Sequence, residues 1–224
     1  MIYLGAVLSQ HHTPASLPLA VRAALGKPLR RAAPLTQLAL IGALACLPAE
    51  RRHLPTALLW QTTSGPRQET LALLDEVCNG PAEPMPYDFL ATQSAIAAAQ
   101  IQPYLPGLCS ATHFPLDTPG TAQWAMLLAL AGNWLAEGRY AQVLCAHLDS
   151  WAEAADGHWL YLSREVLEKS LASLQIGNAP LPDARPDTPD FPVYLARWLE
   201  QTDSPALHLL SPTAPRLAVE FSRL

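Results

Sequence analysis

The chain has 224 residues, half of them hydrophobic and only 15% charged, so it can bury a large core and is not a disordered polypeptide. Its net charge is −5, only Lys27 and Lys169 of its fourteen basic residues are lysines, and no basic patch stands out. That balance speaks against nucleic acid and anionic membranes as partners.

The N-terminus lacks a basic lead, and its apolar run over residues 2–8 is too short for a signal peptide, so it reads as a buried strand. Residues 11–31 are loop-like, with a short helical piece around 19–25. Pro34 opens a helix in which Leu35, Leu38, Ala39, Gly42, Ala45 and Cys46 recur at three-to-four spacing, and Pro48 stops it. Residues 56–62 form the second strand, Ser64, Gly65 and Pro66 a turn, and 67–78 a helix with Leu71, Leu74 and Cys78 on one side. A proline-rich loop over 81–87 leads to an Ala-rich helical stretch over 89–104. A strand over 108–114 follows, shortened by Pro115 and Pro119.

Residues 120–137 read as a long helix, apolar nearly all round, with Gly138 behind its last turn. A helix wet on no side sits between two layers. Pro119, Gly120, Gln123, Gly132 and Asn133 suit burial in protein better than a membrane span. A strand over 141–148 comes next. Thereafter a strand over 159–162, an amphipathic helix over 164–174, a Pro/Asp-rich loop over 179–190 and a helix over 193–201 are expected. Residues 207–210 and 217–221 can pair as a hairpin. There is no internal repeat and no second domain boundary, and the alternation of strands and helices gives an α/β class. Cys46, Cys78, Cys109 and Cys145 lie far apart without a CxxC, as reduced cytoplasmic thiols do.

Several chemistries lack their motif. There is no GxSxG elbow, no GxxxxGK[ST] and no GxGxxG, and Ser64 reads as a turn residue. Cys145, His147 and Asp149 alternate on one strand and so share a face, where thiol, imidazole and carboxylate are possible metal ligands or a nucleophile with its base. The plainer reading is an apolar strand that turns polar at its C-terminal rim. His11 and His12 read as an exposed loop pair, and Trp124 and Trp134 as core. No metal or cofactor is expected.

The order of these pieces resembles the N-terminal half of β-ketoacyl synthases over about residues 1–150. The pieces are the helix over 34–47, the strand over 56–62, the Ser64-Gly65 turn and the 71–78 helix. Pro86-Tyr-Asp-Phe89, the Ser94–Ala99 stretch, the helix closing Leu135-Ala-Glu-Gly138 and the strand Gln142-Val-Leu-Cys-Ala-His-Leu-Asp149 continue the series. The chain is similar to the short synthase-like proteins encoded with aryl polyene and related type II fatty-acid or polyketide systems, and so is its tail, with Tyr194-Leu-Ala-Arg-Trp-Leu199 and residues 217–224. The resemblance implies a truncated thiolase-like α/β layered fold, half a ketoacyl synthase, around a buried central helix over 120–137. Residues 1–150 would be the synthase-like region, and 151–224 a tail packing on the same single domain.

The family places a nucleophilic Cys at the N-terminus of that helix, where the helix dipole and backbone N–H groups favour thiolate and an oxyanion. Counting back from Gly138 puts Thr121 at that position; Cys109 lies twelve residues upstream and Cys145 on the next strand. The family's catalytic histidine pair comes from a second half that this sequence does not include. The resemblance thus implies a non-catalytic subunit, a pseudoenzyme like a chain-length factor, assisting an active ketoacyl synthase or forming a homodimer, and working with an acyl carrier protein. Family subunits pair through the strand before the nucleophile, which here would present Leu108, Ser110, Thr112 and Phe114, with Pro115 departing from a clean interface strand. The alternatives are a self-standing acyl-thioester hydrolase or acyltransferase, built from Cys109, Ser94 or Cys145, His147 and Asp149, and an unrelated α/β interaction domain.

Overall fold

Among the described residues a nine-stranded mixed sheet carries the molecule, in the order β3-β2-β4-β5-β1-β6-β9-β8-β7. The structure, a computed structural model, describes residues 1–81, 83–177, 184–201, 204–214 and 217–224. Its elements are β1 (Ile2–His12), α1 (Ser16–Leu25), α2 (Pro34–Cys46), β2 (Thr56–Thr62), α3 (Arg67–Asn79), α4 (Pro86–Ala91), α5 (Ile96–Ile101), β3 (Leu108–Pro115), α6 (Trp124–Ala136), β4 (Gln142–Ser150), β5 (Ala155–Ser163), β6 (Ala172–Gly177), β7 (Arg185–Pro186), α7 (Phe191–Gln201), β8 (Ala206–Leu210) and β9 (Ala218–Arg223).

Strand β2 runs parallel to both β3 and β4, whereas β5 is antiparallel to both β4 and β1. Every residue of β2 and of β4 is buried, as expected of parallel strands covered on both faces. On one face Leu59, Val143, Cys145 and Leu160 pack with Trp124, Leu128 and Leu135 of α6 and Leu195 and Trp198 of α7. On the other, Leu58, Trp60, Leu144 and Trp159 pack with Leu17 and Val21 of α1, Leu38 and Leu40 of α2, and Ile101 of α5. The approach of α2 is close at Gly42, where a Cβ would collide with the Trp159 indole.

The sheet then continues through β6, β9 and β8. Leu174, Phe221 and Leu209 extend the α6 core, while Gln175, His208, Glu220 and Ser222 alternate onto the opposite, polar side. Strands β8 and β9 pair antiparallel, as the hairpin reading expects.

Three readings are corrected. Residues 164–171 are not helical, and 172–174 belong to β6, because the Leu171 N–H bonds the Leu4 carbonyl and Ala172–Leu174 pair with both β1 and β9. Tertiary pairing overrides the helical spacing. The stretch over 89–104 breaks into α4, α5 and a 3-10 turn, Gln102–Tyr104. The central helix begins at Trp124, not Gly120: Gly120 is left-handed at φ 77°, and the Gln123 N–H is taken by the Gln61 side chain. Met126 and Asn133 remain exposed on it, so it is buried on most but not all sides. Of the Pro/Asp-rich stretch, 179–183 lies outside the described residues. Among the described residues, no helix is long and apolar enough to cross a membrane.

Candidate functional site

The C-terminal ends of β2 and β4 meet the N-terminus of α6, and several of the buried polar residues collect there, among them Gln61, His147, Asp149 and Asp187. At the start of a helix the first N–H groups lack intrahelical partners and form a ready anion site. In this chain the site is filled from within. Asp187, carried by the segment after β7, accepts from the Trp124 N–H (2.9 Å) and the Ala125 N–H (2.9 Å). Gln61 Oε1 accepts from the Gln123 N–H (2.8 Å), and the Trp124 indole donates to the Pro189 carbonyl. Burial raises the Asp187 carboxyl against those hydrogen bonds and the nearby His147, leaving it pushed up to about 6.

A second carboxylate lies on the other side of His147, which acts on both. Asp149, at the end of β4, accepts from the Thr62 hydroxyl (2.8 Å), the Thr63 N–H (2.7 Å), the Thr63 hydroxyl (2.6 Å), the Ser64 N–H (2.7 Å) and His147 Nε2 (3.0 Å). Burial pushes its carboxyl up, but bonds from His147, Thr63 and Ser64 outweigh that and hold it well below the ordinary carboxylate range. The turn after β2 is thereby lashed to β4, with the Ser150 N–H donating to Ser64 Oγ and Gly65 in the left-handed region at φ 52°. Cross-strand pairing places Gln61, His147, His158 and Ser9 in one row over this end of the sheet. Gln61 Nε2 and His147 Nδ1 are buried without a partner, and His158 Nδ1 lies 2.9 Å from Ser9 Oγ.

Sequence-derived candidates fall around this cluster unevenly. Thr121 is not at the helix start: it is exposed in the turn before it, and its hydroxyl is spent on the Thr118 carbonyl (2.6 Å). The residue at the helix start is Trp124, fully buried. Cys145, His147 and Asp149 do share one face of β4, and the structure joins His147 to Asp149. Cys145 is not part of that pair. Its thiol is wholly buried against the Leu127 carbonyl, and burial raises it far above a reactive value. His11 is exposed and pairs with Asp156 at 2.6 Å; both it and His12 belong to β1 rather than to a loop. Among the described residues no cluster of His, Cys, Asp and Glu is arranged to hold a metal.

Most of the cavities lie elsewhere, although one of about 130 Å³ is lined by Ser150 at the end of β4. Two of about 440 and 430 Å³ open at the far end of the sheet, beside Tyr140 and Arg164 and beside Arg51 and Tyr161. Smaller ones lie against α1, α2 and α4, and none of these five is lined by Thr121, Cys145, His147 or Asp149. Sequence reasoning missed Gln61, Thr62, Thr63 and Asp187. Asp187 is 62 residues from its nearest partner, in a stretch without periodicity, so no local signal marks it.

The expected interface strand is β3, which among the described residues is an edge strand with β2 as its one ladder partner. Ser110, Thr112 and Phe114 pair with Ala57, Leu59 and Gln61 on the α6 side. Leu108 falls in the other core, because the register shifts between Thr56 and Ala57. Ahead of β3, helix α3 has no buried residue; it exposes Leu71, Leu74 and Val77, each more than half accessible, while Glu69 and Glu76 are partly covered.

No family model and no curated protein matches the sequence. Solved structures do match the fold. One is a chain of the complex of the ketosynthase ApeO with its chain length factor ApeC from Xenorhabdus doucetiae, with a TM-score of 0.57, 12% identity, and 99% of each chain covered. The ishigamide ketosynthase/chain length factor matches with a TM-score of 0.61 and 13% identity, covering 91% of this chain and 84% of that one. The AntDE:AntF complex, a type II acyl-carrier protein with its ketosynthase bound to the hexaketide, matches with a TM-score of 0.64 and 11% identity, over 100% and 99%. The chain therefore has the layered α/β fold of ketosynthase-like, thiolase-type proteins.

Proposed function

We propose that this chain is a non-catalytic, ketosynthase-like subunit that assists an active ketosynthase in the manner of a chain-length factor, in aryl polyene-type polyketide or fatty-acid synthesis. One observation carries the reading. The helix N-terminus at which the resembling family generates a thiolate and an oxyanion holds the Trp124 side chain, and its free N–H groups are closed by the Asp187 carboxylate. The Trp124 and Ala125 N–H groups are therefore not free to meet a substrate carbonyl, and the nearest thiol, Cys145, is buried against the Leu127 carbonyl. The complexes of ketosynthase with chain length factor, and of ketosynthase with acyl-carrier protein, that share the fold support a ketosynthase and a carrier protein as partners.

On this reading the ketosynthase pairs along the open edge of β3 and covers the apolar side of α3. Residues 1–150 are the synthase-like region and 151–224 a tail of the same domain, although β5, from that tail, lies between β4 and β1. The subunit works in the cytoplasm, in keeping with four cysteines that are all free thiols. For the alternative of a self-standing hydrolase or acyltransferase, Cys145 is buried, Cys109 is an exposed residue of β3 whose thiol donates to the Gly107 carbonyl, and Ser94 lies just before α5.

Co-expression with a type II ketosynthase encoded beside it, followed by affinity capture, tests the proposal. The expected result is a stoichiometric complex, lost when Thr112 is replaced by Pro. Recovery of folded protein without the ketosynthase, or thioester hydrolysis by the isolated chain that Cys145→Ala abolishes, would refute it.

A further inference from the structure

Strand β1 is irregular at one point. Its register with β5 shifts between Leu4 and Ala6, so Gly5 is a bulge residue without a Cα partner there. A Cβ at Gly5 would stand 2.6 Å from Tyr161 Cδ1, too close for two carbons. Glycine at the bulge therefore lets the Tyr161 ring press against β1. Bulges recur beside binding sites, where they re-aim a side chain. Here a cavity of about 430 Å³ opens at the bulge, lined by Gly5 and Tyr161 together with Pro48, Arg51 and Leu167. That volume suits a small molecule.

Arg51 brings a largely buried charge to this cavity, its side chain 14% exposed. Its Nε donates to the Tyr161 hydroxyl (2.9 Å) and to Gln142 Oε1 (3.3 Å), which fixes the plane of the guanidinium. Nη1 donates to Glu165 Oε2 (3.0 Å), whereas Nη2 is buried with no acceptor. A guanidinium is a fork that holds a carboxylate on two parallel N–H groups, and Glu165 uses one of them. Its side chain is 70% exposed, and exposed ion pairs are weak, so Glu165 can be displaced by an acceptor that satisfies both prongs.

Three more charged residues, Glu50, Glu168 and Lys169, line the cavity and are exposed. Among the described residues none of them is in an ion pair. With Arg51, the lining carries two cations and two anions. A dianion would meet repulsion from Glu50 and Glu168, whereas a molecule bearing both signs finds a complement for each. Pro48, Leu167 and the Tyr161 ring supply the apolar wall.

We propose that this cavity binds a small zwitterion, an α-amino acid with an apolar side chain. Its carboxylate displaces Glu165 and takes Arg51 Nη1 and Nη2, its ammonium faces Glu50 and Glu168, and its side chain lies on Leu167 and Tyr161. The cavity opens at the end of the sheet far from the Asp149 and Asp187 cluster, and three strands separate β1 from β3. The inference therefore does not rest on the ketosynthase pairing.

The test is isothermal titration calorimetry on the intact chain with L-phenylalanine as the probe. Saturable binding is expected, weakened about tenfold or more for phenylalanine amide, which lacks the carboxylate, and for N-acetylphenylalanine, which lacks the ammonium. Glu165→Gln removes the competing carboxylate and should tighten binding about threefold or more, and Glu168→Lys should loosen it by about as much. Both side chains are exposed, so these variants report on binding with the fold intact, which circular dichroism confirms. A purely structural Arg51–Glu165 pair would give no gain in Glu165→Gln. Four results would overturn the proposal: no saturable binding of phenylalanine, equal affinity for its amide, tighter binding of inorganic phosphate, or affinity of folded Glu165→Gln no greater than that of the natural chain.

Discussion

Replacing Asp149 by Ala should be among the most damaging single substitutions in this protein. The carboxylate accepts five hydrogen bonds, two of them from the backbone N–H groups of Thr63 and Ser64, and its side chain is 12% exposed. Hydrogen bonds to a charged group contribute about 1.5–3 kcal/mol each, but bonds that share one acceptor do not add. Removing the acceptor strands the Ser64 N–H and His147 Nε2 away from water and frees the turn that β2 and β4 share. Loss of one partner from a buried charged group costs about 3–5 kcal/mol, and that range is expected here. Urea denaturation followed by tryptophan fluorescence at pH 7 measures it, with an unchanged m-value showing that the fold is retained. The pH dependence gives a second check. The folded carboxyl lies below its unfolded value, so its stabilisation is present above about pH 4 and is lost as pH falls through the ordinary carboxylate range and below. Asp149→Ala should flatten that acid limb. A loss under about 1 kcal/mol, or an acid limb identical to that of the natural chain, would refute the assignment of Asp149 as the tie between the strands.

Asp187 should show the opposite sign. Its folded carboxyl is pushed up to about 6, so its contribution is full below about pH 4 and falls by about 3 kcal/mol as pH rises through 6. Asp187→Asn should remove that slope between pH 4 and 7 in thermal melts; an unaltered slope would assign the titration elsewhere. Gly42→Ala should destabilise by about 1–3 kcal/mol by forcing the Trp159 indole away from α2, read as a drop in Tm. Leu71→Glu and Leu74→Glu, on a helix with no buried residue, should leave Tm within a few degrees of the natural chain. The same two changes should abolish ketosynthase capture, and capture by either variant would free α3 of that role.

The parts of the fold that could be read from the sequence are those whose signal is local. Pro34 and Pro48 bracket α2, and the apolar runs over 56–62 and 141–148 need burial on both faces, which strands in the covered centre of a sheet provide. Residues 164–174 misled because a helical spacing and a strand with a solvated face look alike until the partner strands are known; Leu171 and Ala172 are fixed by Leu4 and Arg223, more than 50 residues away. The site divides in the same way. The shared face of Cys145, His147 and Asp149 follows from strand alternation, but what each side chain does depends on Leu127, Thr63 and Ser64, which come from other elements. Asp187 was legible only as one acid in a Pro/Asp-rich loop.

The two carboxylates explain why such a polar end can be buried at all. Asp149 has five donors and stays charged at little cost, whereas Asp187 has two backbone donors and titrates near neutrality. His147 stands close to both, touching one and acting on the other through space, so the protonation of Asp187 changes the field at an imidazole whose Nδ1 is unpartnered. Helix α6 thus has its first N–H groups satisfied by an acidic side chain from a distant part of the chain. The electrostatics that would favour a thiolate favour the Asp187 carboxylate instead, and a ligand could reach the Trp124 and Ala125 N–H groups only by displacing it.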